Sequence, residues 1–236
     1  MTSGPITLCL RFAGLLAAMS SGSPAHGADA AHPTVVELFQ SQGCSSCPPA
    51  NANVMALADR PDLLTLSWQV TYWDSLGWKD TFDDPAFTRR QYEYAAALGH
   101  DGVFTPDVVV NGRSDVVGSN RDELAALVRL GDRGDGGPSI TVSAGQLDVT
   151  GATPSAPARV LLVRYDPSIL QVPIRRGENG GRTLPHRNVV RQVIDLGFWT
   201  GGAAHYVLPI ATDPHLRSAV LVQTNVAGPI LAAARL

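Results

Sequence analysis

Cysteine is scarce in this sequence, with three in 236 residues at positions 9, 44 and 47. Three thiols are too few for the multi-disulfide framework that staples small secreted domains. Lysine is scarcer still, since Lys79 stands alone among 18 basic residues. No block of like charge occurs and the formal net charge is -3, which argues against nucleic acid or an anionic membrane surface as the main partner. No apolar run reaches the roughly 20 residues that span a bilayer. GENGGR, residues 177 to 182, does not enter a helix through Lys-Ser or Lys-Thr, so it reads as a turn and nucleotide binding is discounted. What is present is an ordinary globular composition, 44% hydrophobic, which can supply a packed core.

The N-terminal segment carries a short apolar run from Ile6 to Ala18, interrupted by Arg11, and then Ala28-Asp29-Ala30. A short apolar stretch followed by a small-x-small site reads as a secretory signal peptide, residues 1 to 30, cleaved after Ala30. Cleavage would remove Cys9 and leave no membrane span. Cys44 and Cys47 would then be the only cysteines, in an oxidising compartment where a disulfide can persist.

From Pro33 the pattern alternates between strand and helix. Thr34 to Phe39 is β-branched and aromatic and runs directly into SQGCSSCPPA. Ala50, Val54, Leu57 and Ala58 then recur at helical spacing, with Pro48-Pro49 suited to a first helical turn. Leu63 to Val70 predicts a second strand, and Asp84-Pro85 opens a helix that Gly99 ends. Asn111-Gly112 between apolar runs predicts a hairpin, and Asn120 with Glu123 predicts a third helix start. GDRGDGGP, residues 131 to 138, reads as a linker. Beyond it, six or seven short strands separated by Gly- and Pro-rich turns suggest an antiparallel sandwich over residues 139 to 236.

The Cys-x-x-Cys pair admits three readings: a working redox pair, half of a metal site, or a structural staple. A strand that ends in the motif and continues into a helix places the first cysteine near unpaired backbone N–H groups that favour an anion. The thiolate is the nucleophile, so Cys44 is the candidate attacking thiol and Cys47 the resolving one. A staple closing so short a loop stabilises by only about 2 kcal/mol. A zinc or copper site needs further ligands, and His32, His100, His186, His205 and His215 show no ligand-like pairing with the cysteines, although His186 could approach from the second half.

The order strand, motif, helix, strand, helix, hairpin, helix is that of the thioredoxin topology, in which a cis-proline before the third strand faces the cysteines. Thr105-Pro106 occupies that place here. The segments VELFQSQGCSSCPPA, YWDSLGWKD, RRQYEYA, FTPDVVVNG, VVGS and GENGGRTLPHRNVVR resemble the domain of unknown function 1223 family. The resemblance implies a secreted bacterial protein, periplasmic or extracellular, with a thioredoxin-like domain and a β-rich C-terminal extension. Two positions depart from it: Thr71 stands where that family usually has Asp, and Asp107 where it more often has Gln.

The expected fold class is therefore α/β, a thioredoxin-like domain over residues 33 to 130 followed by an all-β sandwich-like domain. The expected function is thiol–disulfide exchange on protein thiols or disulfides, or on a redox partner protein, with no cofactor beyond the cysteines. Cys44 and Cys47 carry the chemistry as a disulfide pair, with Thr105, Pro106 and Glu37 in support. Glu37 is a candidate for moving the proton of the resolving thiol, against the plainer reading of a solvent-facing or edge residue. Trp73 and Trp78 are candidates for a polypeptide-binding groove, against the plainer reading of local packing. The competing expectation is a non-catalytic binding protein whose pair is an inert disulfide or a copper or zinc site. Arg182, His186, Arg187 and Arg191 concentrate in one stretch, a solvated strand face or a basic wall opposite Cys44.

Overall fold

The computed structural model describes residues 1, 2, 4 and 27–236; the expected signal peptide and Cys9 lie almost wholly outside them. Among the described residues are three short α-helices and thirteen strands, in the order β1 (Thr34–Gln40), α1 (Cys47–Met55), β2 (Leu63–Gln69), α2 (Pro85–Leu98), β3 (Asp107–Val110), β4 (Ser114–Val116) and α3 (Arg121–Leu130). The second half holds β5 (Ser139–Ser143), β6 (Gln146–Gly151), β7 (Ala158–Asp166), β8 (Leu170–Pro173), β9 (Thr183–His186) and β10 (Val189–Trp199), then β11 (Gly202–Val207), β12 (Arg217–Thr224) and β13 (Ile230–Arg235).

Local chemistry explains the helix ends. Asp84 accepts a hydrogen bond from the Ala86 N–H at 2.7 Å, and Pro85 fits the first helical position, where no intrahelical donor is needed. Asn120 Oδ1 accepts from the Asp122 N–H at 2.9 Å and the Glu123 N–H at 3.3 Å, opening α3. The Asn111-Gly112 turn has φ values of 47° and 62°, the left-handed pair that a tight hairpin between β3 and β4 requires. At Gly112 a Cβ would sit 2.4 Å from the Gly228 carbonyl oxygen, so close approach of the two chain segments also calls for glycine.

The expected fold class is corrected here. The chain is not a thioredoxin-like α/β domain followed by a β-sandwich, because one eight-stranded mixed sheet, in the order β13-β12-β7-β10-β2-β1-β3-β4, runs through both halves. β1 and β2 pair in parallel, while β7, β10, β12 and β13 pair antiparallel. The seam between halves is a single parallel partnership, Val189 with Ser67, reinforced by the Ser67 N–H donating to the Asn188 carbonyl at 2.9 Å. Asn188 sits at φ 52°, and its side-chain amide donates to Thr65 O at 3.0 Å and Thr65 Oγ1 at 2.7 Å. The strands before and after residues 131–138 bury their apolar faces against each other. Val35, Phe39, Trp68 and Tyr94 share one core cluster with Leu161, Val163, Leu221 and Ile230.

The opposite face of the C-terminal strands, including Val160, Leu162, Val220 and Val222, is covered by the small sheet β11-β6-β5 together with Trp199. α1 and α3 cover the other face of the N-terminal strands through Ala50, Val54, Leu124 and Val128. β8 and β9 form a separate hairpin, not foreseen as strands, whose Val172, Ile174 and Leu184 pack on Trp78 and Phe82.

Candidate functional site

Cys44 and Cys47 form a disulfide, with 5.4 Å between their Cα atoms. β1 ends at Gln40, and a turn closed by the Cys44 N–H donating to the Ser41 carbonyl leads into α1. The helix starts at Cys47, so Cys44 lies in the turn that precedes it. Pro48 and Pro49 follow without interrupting the helix, because the first-turn N–H groups have no intrahelical acceptor.

Thr105-Pro106 is a cis peptide bond and lies beside the motif. Ser46 Oγ is 3.3 Å from Cys44 Sγ and 3.4 Å from the Thr105 carbonyl oxygen, tying the two chain segments together. Trp73 Nε1 donates to Thr105 Oγ1 at 2.7 Å, and its Cβ packs against Gly43. Trp78 Nε1 donates to Gln42 Oε1 at 3.0 Å. Both indoles therefore wall the turn that carries the cysteines, with their only donors already engaged. Asp80 accepts from the Gln42 N–H at 2.7 Å, and burial pushes its carboxyl up to about 7.

Glu37 goes elsewhere. Val36 and Leu38 face α1, whereas Glu37 lies with Val35 and Phe39 on the face packed by α2. Arg90 Nε donates to Glu37 Oε1 at 2.8 Å and Arg90 Nη2 to Glu37 Oε2 at 3.0 Å, a buried two-point pair. Tyr94 OH also donates to Glu37, and Arg90 Nη1 reaches Gln223 Oε1 at 3.0 Å. The cluster links β1, α2 and β12. Asp107 faces the same side, accepting from Gln91 Nε2 at 3.1 Å, and burial raises its carboxyl to about 7.

The turn between β8 and β9 closes over the disulfide. Asn179 Nδ2 donates to the carbonyls of Gln42 and Cys44, both at 2.9 Å. Glu178 Oε2 accepts from the Ser45 N–H at 3.1 Å and from Ser45 Oγ at 2.6 Å, which holds its carboxyl below the usual range. Under this strap Cys44 is 0% exposed and Cys47 1%, while Ser45 and Ser46 stay exposed. Sequence reasoning passed over Glu178 and Asn179; the one available signal was GENGGR lying in the same set of segments as the cysteine motif. The stretch weighed as a solvated strand face or a basic wall forms no single wall: Arg182 donates to Asn179, Arg187 pairs with Asp59, and Arg191 lies over the Phe82 ring. His186 is buried beside Cys47. Among the described residues no group of three or more His, Cys, Asp or Glu is placed to hold a metal ion, and no helix is long and apolar enough to cross a membrane.

Fold and site together define a β-rich chain on one mixed sheet, with a strapped Cys-x-x-Cys disulfide at a strand–helix turn. The chain belongs to the family described as "Protein of unknown function (DUF1223)", which it matches over residues 35–223. A crystal structure of protein AGR_C_4864 from Agrobacterium tumefaciens is similar over 90% of this chain and 96% of that one, with 32% identity and a TM-score of 0.71. HBP35 of Porphyromonas gingivalis shares the fold alone, with 12% identity and a TM-score of 0.58 over 87% of this chain and 74% of that one. No curated protein matches the chain.

Proposed function

We propose that this chain is an exported, periplasmic or secreted, protein that exchanges thiols and disulfides with protein substrates or a dedicated redox partner through Cys44 and Cys47. The observation that carries the reading is the Cys44–Cys47 disulfide where the turn after β1 opens α1, with Ser46 Oγ 3.3 Å from Cys44 Sγ. Cys44 attacks and Cys47 resolves. Ser46 Oγ stands ready as a hydrogen-bond donor to a Cys44 thiolate, which would favour the ionised form. Because both cysteines are buried, exchange requires the strap at Glu178 and Asn179 to lift.

That burial also favours a second reading, in which the pair is an inert disulfide in a binding protein. Thiol trapping across redox buffers separates the two. A reduction potential well above about -300 mV marks a labile pair, and one below it a structural pair. Under the exchange reading Cys44→Ser abolishes reduction of a disulfide substrate; wild-type turnover by that variant would sink it.

A further inference from the structure

His186, at the end of β9, is 1% exposed, and neither ring nitrogen finds a hydrogen-bond partner among the described residues. A buried imidazole with both nitrogens unsatisfied costs about 1–3 kcal/mol per orphaned group, so the ring is poised to take a hydrogen-bond partner. The ring lines a cavity of about 40 Å³ together with Cys47, Gln40, Asn51, Leu184 and Pro185. That volume exceeds the roughly 10–15 Å³ that a bridging water needs.

The surroundings hold the ring in place without occupying its nitrogens. Phe82 meets it edge-on with 6.2 Å between ring centroids. Asn51 Nδ2 donates to the Pro185 carbonyl at 2.7 Å, fixing β9 to α1, while Gln40 donates to Asn51 Oδ1 at 2.9 Å. The charged residues nearby are engaged elsewhere: Arg187 with Asp59, Arg191 over Phe82, Arg182 with Asn179, and Glu178 with Ser45. Cys47 is the titratable group that faces the cavity from α1. Burial lowers the imidazole to about 4, so near neutral pH the ring is uncharged and offers one donor and one acceptor nitrogen.

We propose that His186 is the proton partner of the Cys47 thiol, an inference that rests on the exchange reading above. In the mixed disulfide between Cys44 and a substrate, the Cys47 Sγ–H gives its proton to the imidazole, directly or through one water, and pairing with the thiolate so formed lifts the ring above the value of about 4 that it has beside the resting disulfide. The Cys47 thiolate attacks Cys44 Sγ; the bond from Cys44 to the substrate sulfur breaks, and its electron pair leaves with that sulfur. Cys44 and Cys47 are thereby oxidised to the disulfide, and the substrate sulfur is reduced. The proton on the imidazolium passes to the departing thiolate or to solvent. An imidazole serves better here than a carboxylate, because a neutral base beside a buried thiol leaves no unpaired charge in the resting disulfide.

The test needs no substrate. In reduced Cys44→Ser protein, the thiolate of Cys47 is titrated by its absorbance near 240 nm, with the Cys44→Ser/Cys47→Ser chain as the blank. Adding His186→Phe is expected to raise the Cys47 titration by about one pH unit or more, because a hydrogen bond to the charged form is lost. His186→Gln, which keeps a donor, is expected to restore part of it. An unchanged titration overturns the proposal. The wild-type chain gives a readout free of folding effects: the imidazole ¹⁵N resonances of His186 should shift on reduction as the ring gains a partner. Identical resonances in the two redox states overturn the proposal as well. Exchange activity with a His186-independent titration refutes this inference alone. A His186-dependent titration in a chain without exchange activity refutes the exchange reading and keeps the pair.

Discussion

The Asp107 carboxyl has one oxygen bonded to Gln91 and the other without a partner among the described residues, and burial carries it from 3.8 to about 7. A raised folded-state value means that the native chain binds more protons than the unfolded chain between those limits. Stability from this group is therefore highest below about pH 4 and falls as pH rises to about 7, by up to about 1.4 kcal/mol per pH unit. Asp80 contributes in the same window. Asp107→Asn should flatten the slope, raising the urea midpoint at pH 8 while leaving it nearly unchanged at pH 4; an equal shift at both pH values would contradict the buried-charge account. That Asp107 would sit near Pro106 was legible from adjacency in the chain, but the face it points to was not. Glu37 has the same history. Every residue of β1 is buried, so no alternation of polar and apolar positions marks which side of the strand meets α1.

Elements defined by near neighbours were readable: the Asp84-Pro85 start, the Asn111-Gly112 turn, the Asn120 cap and the motif between β1 and α1. The β8–β9 hairpin was not. Its strands have four residues each, contain Pro173 and Pro185, and reach their target at Cys44 from 135 residues away. Asn179→Ala removes both donors that hold this hairpin over Gln42 and Cys44. With net worth near 1 kcal/mol per hydrogen bond, dithiothreitol should then reduce the disulfide on the order of tenfold faster or more. Unchanged reduction kinetics in a variant of near wild-type thermal stability would show that the strap does not control access.

Across the molecule, the elements change from mixed to all strand after residues 131–138, since no helix follows α3 in the described chain. That segment does not separate two sheets, because Val189 pairs with Ser67, and Leu221 shares one core cluster with Val35 and Trp68, residues far apart in sequence. Composition reports what a segment contains and carries no term for what it packs against. Leu221→Ala should lower stability by about 2–5 kcal/mol through a cavity in the shared core. Circular dichroism and tryptophan fluorescence should report that loss as one coincident transition; two separate transitions would argue against a common core.

The strap carries a consequence in time. Ser45 and the Glu178 that covers it are separated by 133 positions, so in N-to-C synthesis the cysteines emerge long before their cover exists. An oxidant acting on the growing chain meets Cys44 and Cys47 unshielded, whereas a reductant acting on the finished chain meets them sealed.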